Sequence, residues 1–349
     1  LLRYIEFLKA SQKDTNEDDG VWKLPDGVAF YRAALRRYTT TDLGADEIHE
    51  RGLEEVARIH DEIRQIMVKV EYKGSLQDFF HYMRENPRWY YPETDQARRD
   101  YLADTNVAIE RARGLIDTYF NLKPKADVVV KRVEAFREKN TSAAFYMSPA
   151  LDGSRPGTYY VPLYRMKDNP RWDMVTTALH EAIPGHHMQI AIAREQKDVP
   201  LQIRLISFGA YTEGWALYAE FLAKEMGLYE GRPYMDFGRL VGELFRAVRL
   251  VVDTGIHSRR WTRQQAIAYM ARNTPYSEGY ISGEIERYIV WPTQATSYKV
   301  GMLSILEARE RARAQLGSDF DIRAFHDVIL GQGSMPLKIL QGRVEAGSM

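Results

Sequence analysis

The chain has 349 residues, 45% hydrophobic and 28% charged, a balance that suits a globular protein with a sizeable core and excludes a disordered polyelectrolyte. Lys plus Arg and Asp plus Glu both number 48, so no net field draws the chain to nucleic acid or an anionic membrane, and no nucleic-acid partner is expected. Cysteine is absent, which leaves histidine and carboxylate for any metal chemistry, and no run of 18 apolar residues predicts a transmembrane segment.

In chain order, the acidic stretch Asp14–Asp19 reads as a solvated loop. Thr41-Asp42 offers an N-cap for a helix over 45–70, where Ile48, Val56, Ile59, Ile63 and Ile66 recur at helical spacing. Further helical patterns cover 94–122 and 126–139, separated by Lys123-Pro124. The pattern changes over 143–163. Ala144–Met147 and Thr158–Val161 are β-prone runs around a turn-rich centre, Pro149 to Gly157, which predicts a small hairpin or sheet. A substrate strand can add to such an edge, with Tyr159 lining the groove. After a loop over 162–170, helices are expected over 171–195, 201–226, 234–259, 262–272, 277–290, 292–316 and 322–330. The expected fold is mainly α: one large domain over 1–349, a multi-helix bundle around a deep cleft, with the small β element just before the 171–195 helix.

The run His180-Glu181-Ala182-Ile183-Pro184-Gly185-His186-His187 holds three of the chain's eight histidines. Imidazole is the commonest protein ligand for zinc, and a carboxylate beside the first ligand is the usual base for metal-activated water. The spacing departs from the regular His-Glu-x-x-His signature, in which one helical turn aligns the two imidazoles. Seven residues of unbroken helix rise roughly 10 Å, too far for two nitrogens that must each approach one ion to about 2.1 Å. Pro184-Gly185 resolves this, because proline breaks the helix and glycine tolerates the resulting backbone. The second ligand is then His186, preferred because the regular motif often closes on Gly-His, or alternatively His187.

Downstream stands Thr212-Glu213-Gly214-Trp215-Ala216-Leu217-Tyr218-Ala219-Glu220. It resembles the Asn-Glu-Gly-Phe/Trp segment that carries the zinc-binding glutamate of gluzincin aminopeptidases. Together with Pro25-Asp26-Gly27, Asp152-Gly153-Ser154-Arg155-Pro156-Gly157 and Arg287-Tyr288 through Tyr298, the two motifs resemble the bacterial domain-of-unknown-function family 885, thought to be zinc-peptidase-like. The resemblance covers most of 25–335. It implies Zn2+ held by His180, His186 and Glu213, with Glu181 as general base. Glu220, two turns beyond Glu213, is placed to orient a ligand imidazole. Family members are longer at the N-terminus and this chain begins at Leu1, so the expectation is that an N-terminal portion is missing.

The expected activity is that of a metallopeptidase. Candidates for an additional oxyanion donor are His257, with Asp253 one turn before it to fix its tautomer, and Tyr288 and Tyr298, which flank the Trp291-Pro292 break. Arg287 is a candidate for binding a peptide carboxylate. Alternative readings are a hydrolase of a non-peptide amide or ester, and a non-catalytic zinc-binding or scaffold protein. The substrate class is a peptide or small amide. The expected location is cytoplasmic or, after export, the bacterial envelope, and nothing in the sequence fixes an oligomeric state.

Overall fold

Residue spacing favours helices along most of the chain, and helices dominate its computed structural model, which describes residues 1–141 and 143–346. The last three residues of the expected 1–349 domain lie outside the described residues. The helix expected over 45–70 runs Ala45–Lys69 and buries its isoleucine stripe. Its N-cap is Gly44 rather than Thr41-Asp42, and Asp46 and Glu47 supply the negative charge that a helix start favours. The 94–122 pattern stops earlier, as Asp95–Arg113, capped by the Thr94 side chain. Four helices carry no expectation above: Leu2–Ser11, Gly27–Thr39, Leu76–Glu85 and Leu337–Glu345.

The helix expected over 126–139 is replaced by a strand, β1 (Val128–Arg132), and a single turn, Ala135–Glu138. Three consecutive valines at 128–130 fit a pleated surface better than a helix, where β-branching restricts the side chains. β2 (Phe145–Met147) and β3 (Gly157–Val161) form the expected hairpin, and β1 completes a three-stranded sheet in the order β1-β3-β2. β1 runs parallel to β3, with Val130 opposite Tyr159; β2 runs antiparallel, with Tyr146 opposite Tyr159. β3 is thus paired on both sides and offers no edge to a substrate strand. Tyr159 is fully buried in the core, so the groove-lining role expected for it is corrected to a packing one.

Helix Pro233–His257 runs through the centre of the molecule. From Asp236 to His257 every residue is buried except Arg246. It packs on Ala45–Lys69 and on Arg171–Glu181. A Cβ at Gly238 would stand 1.7 Å from the Trp172 carbonyl oxygen, so the latter pair meets backbone to backbone. Helices Gly209–Glu225 and Ser297–Leu316 approach in the same manner. A Cβ at Gly214 would lie 2.5 Å from Gly301 Cα, and one at Gly301 would lie 1.9 Å from the Ala210 carbonyl oxygen. Two of the cations buried between these helices are paired with carboxylates, which offsets the cost of burying them. The fully buried Lys299 ammonium contacts Glu55 at 2.7 Å and Glu243 at 2.6 Å, and Arg239 contacts Asp236 at 2.8 Å.

Candidate metal centre

The helix expected over 171–195 is two helices, Arg171–Glu181 and His186–Glu195, separated at Ala182–Gly185 where Pro184 and Gly185 stand. The Ile183–Pro184 peptide is cis. Gly185 donates its N–H to the Leu179 carbonyl at 3.0 Å. A Cβ there would stand 1.9 Å from the His180 carbonyl oxygen, so the chain doubles back too closely for any other residue. The Trp215 indole donates to the Pro184 carbonyl at 2.9 Å, which ties the interruption to the helix carrying Glu213.

This folding brings His180, His186 and Glu213 together, with one donor atom from each within 4.8 Å of the others. The Glu213 carboxylate lies 3.7 Å from His180 Nε2 and 3.4 Å from His186 Nε2. Two donors at ~2.1 Å from a shared tetrahedral ion stand about 3.4 Å apart, so the separations suit zinc, and two imidazoles with one carboxylate form a familiar catalytic zinc set. Burial raises the Glu213 pKa, but the neighbouring His180 and His186 outweigh it and hold the carboxyl well below its usual range. His180 donates Nδ1–H to Glu220 at 2.7 Å, and Glu220 also accepts from the Thr176 hydroxyl at 2.9 Å. Glu220 therefore fixes His180 through Nδ1 and leaves Nε2 on the side of Glu213.

His187 is elsewhere. It is fully buried, accepts from the Tyr146 hydroxyl at 2.9 Å and donates Nε2–H to the Ala126 carbonyl at 2.9 Å. Both ring nitrogens are committed, so the alternative ligand is excluded by geometry. Burial depresses its pKa to about 4, which keeps the ring neutral and the hydrogen bonds in place. Glu181 is buried beside His180, and its Oε2 has no hydrogen-bond partner among the described residues.

The remaining expected residues divide. His257 accepts from the Val21 N–H at 3.2 Å and donates to the Tyr288 carbonyl at 3.0 Å. Its tautomer is set by those groups and not by Asp253, which accepts from the Tyr31 hydroxyl at 2.6 Å and the Thr293 N–H at 2.9 Å. The Tyr288 hydroxyl accepts from Arg249 at 2.8 Å and donates to Glu284 at 2.6 Å. Arg287 is likewise held by Glu284 at 2.9 Å and Gln294 at 2.8 Å. These roles are corrected to structural ones, because each polar group already has its partner. Tyr298 differs: burial and then the field of Glu213 raise its pKa, which keeps its hydroxyl protonated.

Half-buried side chains stand in otherwise buried stretches at Asp173, Thr177, Glu213, Arg246 and Tyr298. Arg246 carried no sequence expectation. Its signal was available, since Arg246 and Arg249 are the two charges in the apolar run from Leu244 to Val252. A shallow depression of about 510 Å³ lined by Tyr72, Asp78, His81 and Glu85 includes none of the triad residues.

The centre's protonation gives a testable linkage. Burial lowers the His180 pKa, but the Glu213 and Glu220 carboxylates overcome it and raise the pKa from 6.5 to about 9. A metal takes only the neutral ring, so between those values binding must displace a proton, and affinity falls as pH falls below about 9. Zinc titration at pH 7.5 in buffers of different ionisation enthalpy is expected to report release of about one proton. Absence of buffer dependence would show that His180 does not exchange a proton for the ion.

The profile of the family described as a bacterial protein of unknown function, DUF885, matches residues 1–344. Among solved structures, the chain aligns with the “putative lipoprotein from Colwellia psychrerythraea” at 41% identity and TM-score 0.94, over 97% of this chain and 58% of that one. It also aligns with a “putative lipoprotein of unknown function from Shewanella oneidensis” at 22% identity and TM-score 0.81, over 97% of this chain and 63% of that one. The chain thus spans about three fifths of the length of these relatives. No curated protein matches it.

Proposed function

Because the chain belongs to the bacterial DUF885 family, whose description assigns no activity, we propose from the chemistry of the centre that it is a zinc-dependent hydrolase of peptide bonds. The observation that carries this reading is the convergence of His180, His186 and Glu213 beside the unpartnered carboxylate oxygen of Glu181. His180, His186 and Glu213 would hold the ion, and three protein ligands leave the open position that a catalytic site needs. When bound, zinc supplies Lewis acidity toward the scissile carbonyl and the attacking water. Glu181 takes the proton from that water and delivers it to the leaving amine. Glu220 holds the His180 ring with Nε2 facing Glu213. Tyr298 donates its hydroxyl proton to the developing oxyanion; that hydroxyl accepts only a long 3.4 Å bond from Gln294 among the described residues.

No described helix is long and apolar enough to cross a membrane. An envelope location belongs to this proposal and rests on the lipoprotein descriptions of the two aligned proteins. The test is metal removal and return. Dialysis against a chelator is expected to abolish cleavage of a mixed peptide library read by mass spectrometry, and one equivalent of zinc is expected to restore it. A library left intact by the zinc-loaded protein would overturn the reading.

A further inference from the structure

Arg246 interrupts a helix that is otherwise sealed. From Asp236 to His257 it is the one residue that is not buried. Its guanidinium makes no direct ion pair. Among the described residues no carboxylate lies within 4.0 Å of its guanidinium, Nε is buried without a partner, and Nη1 bonds only to the Gly242 carbonyl of its own helix at 3.1 Å. The other deeply placed cations contrast with it, since Lys299, Arg239 and Arg249 each contact a carboxylate.

Its position relates it to the triad by two routes. A methyl group at position 242 would stand 2.9 Å from Glu220 Oε2 and 3.4 Å from Arg246 Nη1, so Arg246 sits beside the carboxylate that orients His180. On the other side its guanidinium carbon lies 5.8 Å from the centre of the Tyr298 ring. Burial disfavours its charge and the field of Glu220 restores it, leaving the pKa above the usual value, so the group is a permanent cation. A buried donor without an acceptor is costly unless something else supplies one. A guanidinium fork matches a carboxylate bidentately.

We infer that Arg246 receives a carboxylate of the substrate, so that the centre acts on short peptides whose free carboxylate lies close to the bond being cut. This rests on the hydrolase reading for the word substrate, but the contact itself can be tested without turnover. The test uses the zinc-loaded Glu181→Gln protein, which retains the three ligands. Its binding of three probes is measured by calorimetry: N-acetylated trialanine with a free C-terminus, the same peptide as its C-terminal amide, and an amidated version with one alanine replaced by glutamate.

The expected result is that a carboxylate-bearing probe binds more tightly than the plain amide by roughly 30-fold, and that adding Arg246→Gln erases the difference. Preference for the free acid assigns the α-carboxylate; preference for the glutamate amide assigns a side-chain carboxylate. Arg246→Lys, which keeps the charge and loses the fork, is expected to retain part of the preference and guards against a folding defect in the glutamine variant. Equal binding of all three probes, or a preference unaffected by both Arg246 variants, would overturn the inference. Selective binding by the Glu181→Gln protein, combined with no cleavage by the unaltered one, would remove the hydrolase reading and leave the Arg246 contact standing.

Discussion

Replacing Glu181 by Gln is expected to reduce peptide turnover by about 10²–10⁴-fold while zinc content stays at one per chain. The reason lies in the separation of tasks within one turn of chain. In the proposed centre His180 would ligate through Nε2, whereas Glu181 keeps a buried oxygen without a hydrogen-bond partner among the described residues. The amide retains the size of the side chain and removes only its ability to take a proton. Folding and metal content, read by circular dichroism and elemental analysis, should therefore be unchanged while kcat collapses. Retention of turnover within tenfold of the unaltered protein would assign the base to another residue or remove the hydrolytic reading. Loss of zinc would instead make Glu181 a ligand.

The second large effect separates two adjacent histidines. His186→Ala is expected to lose stoichiometric zinc and the thermal stabilisation that bound metal confers, because ligands binding only the folded state raise its stability by mass action. The metal-free fold should tolerate the change, since His186 Nδ1 has no partner to lose among the described residues. His187→Ala is expected to do the opposite. It removes hydrogen bonds to Tyr146 and Ala126 and opens a cavity in the core, at a cost of roughly 2–4 kcal/mol, while zinc binding persists. Paired thermal melts with and without zinc make the comparison. Equal zinc affinity in the His186 variant and lost affinity in the His187 variant would reverse the ligand assignment.

The convergence of His180, His186 and Glu213 was legible because its cause is local. Pro184-Gly185 announces a break, the break is needed for two histidines six apart to converge, and the second helix carries its glutamate beside a tryptophan. What the letters did not disclose was the tryptophan's task, which depends on a hydrogen bond to Pro184 across 31 positions of sequence. Nor could adjacency alone separate His186 from His187, because the choice depends on Tyr146 and Ala126, which the sheet brings in from far upstream.

The errors have the same origin. Residues 126–139 carry a weak helical pattern, yet the valines at 128–130 found a neighbour in β3, and pairing outweighed local spacing. Tyr159 can line a groove only if β3 keeps a free edge; a third strand turns that edge into a centre. His257, Tyr288 and Arg287 are chemistry-bearing side chains, but each is consumed by partners: His257 by Val21 and Tyr288, Tyr288 by Arg249 and Glu284, and Arg287 by Glu284 of its own helix and Gln294. The helix Leu76–Glu85 is spelled out locally, since Ser75 and Asp78 form a reciprocal cap.

The meeting of Gly214 with Gly301 has a historical consequence. Neither position can accept even a methyl group while its opposite stays in place, since each would thrust carbon into the facing backbone. A mutation at one cannot be repaired by shrinking the other, which is already the smallest residue. Any descendant that altered this contact would have to part the two helices, and with them carry away the carboxylate one residue earlier, so drift along this seam is closed to any descendant that keeps a usable centre.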